Sequence, residues 1–338
     1  MQAKDSPARP SHGLLRVVLV LLALPLLLVS LATWLWDKEP VLLDPAAPSR
    51  TEQTAMKRPV TPGAATTVSL IRSVQALVEK HAGHPAKGHR HPSDASMDST
   101  PGWERGSLMA SRDLLHVLRS EFGRPQAPLI EDKDLADADV LLSGHSSRWS
   151  LRNPESQYRK VAYHLQGYLD RLTDDDPDNA HFYASASHLA DYLQVASTRL
   201  DALAQRLTSG VTQPRPGEFS PPHWPVMAFA QTLHKGGPPP WRRNDDTFFE
   251  ARGYTSALLL QMKAFQHDFA SVLKDPGAQA NLQLAIQELE AVQQSPAHPL
   301  ALNGAPSIRF PDHALAMAGY VSRVSSAVSE LRDQLRGG

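Results

Sequence analysis

The chain has 338 residues, no cysteine, and 34 Lys plus Arg against 35 Asp plus Glu, a formal charge of −1. The absence of cysteine excludes a disulfide framework, thiolate catalysis and Cys-ligated zinc or iron–sulfur sites. A near-neutral balance lacks the basic stripe of a nucleic-acid surface, so no nucleic-acid partner is expected.

In chain order the first feature is Val17 to Trp36, an uncharged and almost wholly apolar run. Twenty helical residues at ~1.5 Å rise match the ~30 Å hydrocarbon core of a bilayer, which predicts one transmembrane anchor over 17–36. A cleaved secretory signal has a shorter apolar region, ~7 to 15 residues, followed by a small-x-small site. Here the run ends in Trp34-Leu35-Trp36 and then Asp37-Lys38-Glu39, a flank that suits the headgroup zone and favours an uncleaved signal anchor. Lys4, Arg9 and Arg16 against Asp5 precede the run, while Asp37, Glu39 and Asp44 against Lys38 follow it. Cationic flanks stay inside, so 1–16 reads as a cytoplasmic tail and the rest as a body outside the cytoplasm. The expected location is a membrane, crossed once, with the N-terminus cytoplasmic and the body outside the cytoplasm.

Residues 37–66 are rich in proline and small or polar residues and read as a flexible stalk, because such a segment buries too little apolar surface to offset its ordering entropy. From residue 67 to 338 apolar positions recur at steps of three and four, the stripe of helices facing helices. The fold class is therefore all-α: one N-terminal membrane helix plus a bundle of about seven helices. Ile71, Val74 and Val78 mark the first; Leu108, Leu115, Leu118 and Phe122 the second. Tyr158 to Leu172 form the third, after Asn153-Pro154, a cap with proline at the first helical position. The fourth holds heptad spacing from Ala186 to Leu207, with Asn179 as its expected opening and Gly210 as its stop. Leu193 and Leu200 lie on its apolar stripe and are expected in the core, with Arg199 exposed. The fifth runs over Leu258 to Val272 and is expected to end at Asp275-Pro276-Gly277; the sixth covers Leu282 to Val292, closed by Pro296. The last covers Met317 to Leu335, opened by Pro311-Asp312. No segment alternates with the period of a strand. Two irregular stretches, 81–103 and 210–246, interrupt the pattern, and the second leaves open a boundary between two lobes.

Three places carry chemistry-bearing residues. His84, His89 and His91 lie close together and are candidate imidazoles for a shared metal, but Lys87 and Arg90 repel a cation, so a solvated loop is the better reading and no metal or other cofactor is expected. Glu250, Arg252 and Tyr254 combine acid, base and phenol, with Glu250 and Tyr254 one helical turn apart. They form a possible ligand, partner or catalytic site, to which Trp224 of the proline-rich stretch is added; a structural role is the competing reading. His313, Tyr320 and Arg323 share a face of the last helix, where capping of the core is favoured over catalysis. No nucleophile elbow, phosphate loop or zinc-protease motif is present.

These elements favour a membrane-anchored interaction or scaffold protein of the cell envelope, with the bilayer and an envelope protein or cell-wall component as partners. The alternative is an enzyme on an envelope substrate, working at Glu250, Arg252 and Tyr254.

Several blocks also resemble a known family. Trp103-Glu104-Arg105-Gly106, Arg112-Asp113-Leu114, Glu131 to Ala136, Ser156 to Arg159, Phe248 to Gly253 and Leu302-Asn303-Gly304 occur in this order. Together they resemble an uncharacterised proteobacterial family, a domain of unknown function with one N-terminal span and a helical periplasmic body. The resemblance covers roughly residues 15–336 of the chain. It implies a Gram-negative inner-membrane protein and brings no activity, cofactor or catalytic residue.

Overall fold

Every regular element that the computed structural model describes is a helix, within residues 61–82, 100–123, 131–143, 154–174, 176, 178–209, 240–294 and 313–337. In chain order they are α1 (Ala64–Ala82), α2 (Thr100–Val117), α3 (Lys133–Ser143), α4 (Pro154–Leu172), α5 (Ala186–Ser209), α6 (Pro240–Asp268), α7 (Pro276–Gln294) and α8 (His313–Gly337). A π-helical turn, Leu118–Phe122, continues α2. All lie in one compact unit, Leu42–Gly338. The all-α class thus holds for the described residues, with eight α-helices where the periodicity marks seven. None of these helices is long and apolar enough to cross a membrane, and the run 17–36 lies outside the described residues.

The three-and-four spacing decides what is buried. Leu189, Leu193, Ala196, Leu200, Leu203 and Leu207 of α5 all face the core, as do Val321, Val324, Val328 and Leu331 of α8. α5 packs most heavily on α8, and α6 on α2, so helices before and after residues 210–246 are paired with each other. α7 lies against α8 and α6, α3 against α4, and α1 against α4 and α6. At one end Phe122, Phe182, Phe265 and Phe269 form an aromatic cluster, with Phe122 5.2 Å from both Phe182 and Phe269 between ring centroids. The π turn serves it: the Gly123 N–H donates to the Leu118 carbonyl at 2.7 Å, which buries Phe122 and Leu118 together.

Several boundaries differ from the sequence expectation. α3 carries a short stripe of Leu135, Ala138 and Leu142 among Asp134, Asp137 and Asp139, too brief to stand out as a period. α5 opens at Ser185, whose hydroxyl accepts from the His188 N–H at 3.2 Å; Asn179 instead donates to Asp174 in the preceding loop. Asp275-Pro276 does not end the fifth helix but opens the next. Its carboxylate accepts from the Ala278 N–H at 3.2 Å, and Pro276 is the first helical residue, where its missing N–H costs nothing. Helix α6 has already stopped at Asp268, so Val272 lies in the turn that follows.

The expected stalk, 37–66, overlaps the body at its end. Thr66 is fully buried in the first turn of α1, and the Asp268 carboxylate accepts from its N–H at 2.6 Å and from that of Ala65 at 3.4 Å. Gly63, at φ +90°, precedes that turn with the Phe182 ring occupying the place of a Cβ.

Candidate functional site

Helix α6 begins at Pro240, so Glu250, Arg252 and Tyr254 sit in its interior rather than at its start, and Asp245 and Asp246 are not at its N-terminus. The helix is flanked by α2, running parallel, and α5, running antiparallel. α2 comes very close because Gly102, Gly106 and Gly253 stand at the crossing. A Cβ on Gly106 would collide with the Glu250 carbonyl and come 2.6 Å from the Tyr254 nitrogen, and one on Gly253 would collide with the Trp103 carbonyl. Backbone meets backbone here, which only glycine permits.

That approach sets a ladder of polar groups between the three helices. At its first rung the Glu250 carboxylate, 4% exposed, accepts two hydrogen bonds from Arg206 of α5, at 2.6 and 3.2 Å, and one from Arg105 of α2 at 3.4 Å. At the second rung Asp113 of α2 accepts from Arg199 of α5 at 3.0 and 3.2 Å. Burial pushes the Asp113 carboxyl above its ordinary range, while the hydrogen bonds and charge of Arg199 hold it down. Tyr254 is fully buried beside this pair. Its hydroxyl lies in the field of Asp113 but makes no hydrogen bond of ordinary geometry, and burial above all, helped by Tyr192 and Asp113, drives its pKa well up. At the third rung Tyr192 of α5 donates to the Gln261 side chain, which donates in turn to the Ala110 carbonyl of α2 at 3.2 Å.

The sequence-expected residues therefore separate. Glu250 and Tyr254 face α2 and α5, whereas Arg252 turns to α7 and donates to the Gln293 carbonyl at 2.9 Å. Gln293 returns the contact by donating to Thr255 at 2.9 Å, closing a buried link across the last turn of α7. There the guanidinium also meets the negative end of the helix. Trp224 and His84, His89 and His91 lie outside the described residues. Among those residues no group of three or more His, Asp or Glu is placed to hold a metal ion. On the last helix Arg323 lies over the Tyr320 ring at 4.6 Å and pairs with Glu288 of α7 at 2.9 Å, on the outside of the bundle.

Arg199 is exposed, as its place beside the leucine stripe predicts, yet it is not idle, because its guanidinium neutralises a buried carboxylate 86 positions away in the chain. Sequence reasoning assigned no site role to Asp113, Arg105, Arg199, Arg206, Tyr192 or Gln261, although Arg105 and Asp113 fall within the family-like blocks. A signal for half of them exists: Tyr192, Arg199 and Arg206 repeat every seven residues on one edge of the leucine stripe of α5. Polar groups at that spacing share a helix face and can meet one neighbouring helix.

A second ion-pair group fastens α3. Arg171 of α4 donates to Asp132 at 2.7 Å and to Asp134 at 3.1 Å, while His164 Nδ1 meets Asp134 at 2.9 Å. Arg119, in the π turn, reaches Glu131 and, at 2.8 Å, Asp139. Asp132 also caps the helix, accepting from the N–H groups of Asp134 and Leu135. Chemically, the carboxylates of both groups are already bound by arginine, and the Tyr254 phenol, its pKa raised by burial, stays protonated with its hydroxyl unpaired.

The blocks Trp103 to Gly106 and Phe248 to Gly253, far apart in sequence, are thus the two sides of one helix crossing, while Arg112 and Asp113 reach α3 and α5. No curated protein and no solved structure matches the chain. A family model matches it over residues 9–338, nearly end to end, and the chain belongs to that family, described as "uncharacterized protein conserved in bacteria" (DUF2333).

Proposed function

We propose that this protein is a membrane-anchored helical interaction or scaffold component of the bacterial envelope, with its body in the periplasm. The observation that carries the reading is the apolar run from Val17 to Trp36, long enough for a bilayer, with basic residues before it and acidic ones after. The chemistry of the body supports the non-enzymatic side. Glu250 is closed off by two arginines, and Arg252 is spent on the end of α7, so acid–base work at these residues would first require breaking ion pairs. Envelope proteins and wall components are the partners this reading implies, and cross-linking followed by co-purification would identify them.

The test is topological. A reporter enzyme that works only outside the cytoplasm, fused after Gly338, is expected to be active, and the protein is expected to stay with membranes after a carbonate wash. Activity of a cytoplasm-only reporter at that site overturns the orientation. Release of the chain by the wash overturns the anchor.

A further inference from the structure

α8 is covered by α5 on one side and by α7 on another, while Ala316, Gly319, Arg323, Ser326 and Glu330 form an exposed third face. Their steps of three and four residues place them on one face of the helix. Between this face and α7 runs an open groove of about 280 Å³, lined by the half-exposed Leu284 and by Glu288 of α7 and by Arg323, Ser326, Ala327 and Glu330 of α8. A second helix could come close, since a Cβ at Gly319 meets nothing within 4 Å. The charges say which helix it is. Arg323 and Glu330 are equidistant from the Ser326–Ala327 junction. A twofold axis at that junction sets each Arg323 against the Glu330 of a second copy. Parallel pairing in register would instead place like charges together. Arg323 is already oriented by Glu288 and by the Tyr320 ring, and Glu330 has no ion-pair partner among the described residues. We propose that this face pairs antiparallel with the same face of a second copy, giving a twofold-symmetric dimer centred on Ser326.

The occupant is argued from the charge pattern and not from the membrane reading, so either can fail alone. The chain has no cysteine, which makes Ser326→Cys its only thiol. At the ~8–10 Å spacing of packed helices, facing Cα atoms beside the axis come to about 4–5 Å, within disulfide reach. The full-length S326C chain, oxidised in freshly lysed cells with copper–phenanthroline, is expected to give a disulfide-linked homodimer on a non-reducing gel. K160C, exposed on α4, is the control for random collision. Adding E330R sets arginine against arginine and is expected to cut the dimer fraction about tenfold. Combining R323E with E330R restores opposite charges across the axis and is expected to return most of it. A dimer fraction no higher than that of K160C, an adduct to a different protein, or charge variants that all behave alike would each overturn the proposal; the reporter fusion still reads the anchor in every case.

Discussion

Asp113 and Arg199 illustrate how a half-exposed side chain can matter more than its exposure suggests. Burial raises the Asp113 carboxyl, and Arg199 is the chief influence pulling it back. An acid raised in the folded state binds its proton more readily there than in the unfolded chain. Its ionised form therefore costs stability above the folded pKa, and that cost is gone below the ordinary value. Removing Arg199 leaves burial nearly unopposed and raises the carboxyl further. Arg199→Ala is expected to lose about 1–3 kcal/mol at neutral pH, less than for a fully buried pair because the guanidinium is partly solvated. The deficit should narrow as pH falls through the raised pKa and Asp113 takes up a proton. Urea midpoints of the variant and the parent, followed from pH 8 down to the ordinary carboxylate range near pH ~4, test this. A deficit constant across that range would mean that Arg199 acts by packing alone.

Helix pairing in this bundle depends on where Cβ atoms are missing. Gly106 of α2 lies on the α6 backbone, which cannot yield as a flexible side chain would. Gly106→Ala must push the two helices apart and strain the Glu250 and Asp113 rungs together, a loss of about 3 kcal/mol or more. Gly319→Ala makes the same change on an exposed face of α8 with nothing nearby, and there the better helix propensity of alanine should stabilise by up to about 1 kcal/mol. Thermal melts of the two variants are expected to shift in opposite directions; shifts of the same sign would remove the close crossing as an explanation. The leucine period of α5 made that helix legible in the sequence, because burial of one face imposes a repeat whatever the partner. α3 was not legible, since eleven residues offer too few turns for a period to show. Asp275-Pro276 was misread because the same pair can follow one helix and open the next, and only the Ala278 N–H settles which. The ladder was legible only as isolated charges: Glu250 and Arg206 are 44 positions apart, and no local pattern encodes that they meet.

For the molecule as a whole, the entry of the chain into the bundle decides where the body begins. The sequence suggests Thr66, at the end of the proline-rich segment, yet residues before it are built into the core. Gly63 seats against Phe182, and its carbonyl accepts from the Thr67 N–H at 2.9 Å and the Thr67 hydroxyl at 2.8 Å. Asp268, only 4% exposed at the end of α6, has the Thr66 and Ala65 N–H groups as its donors. Burial already raises its carboxyl, and those donors are what lower it. A chain shortened to begin at Met56 keeps all of these contacts, whereas one beginning at Val68 leaves a buried carboxylate without them. Hydrogen bonds to a charged group contribute ~1.5–3 kcal/mol each, so the shorter chain should lose about 2–4 kcal/mol once the longer of the two bonds is discounted. For a body of this size that corresponds to a fall of roughly 5–15 °C in melting temperature. Both shortened chains lack the apolar run, so calorimetry can compare them in the same buffer without detergent. Replacing Asp268 by Asn in the longer chain should reproduce only part of the loss seen in the shorter one, because it keeps the Gly63 contacts. If the two chains melt together, residues 56–67 are no part of the folded body and the stalk extends as far as the sequence suggests.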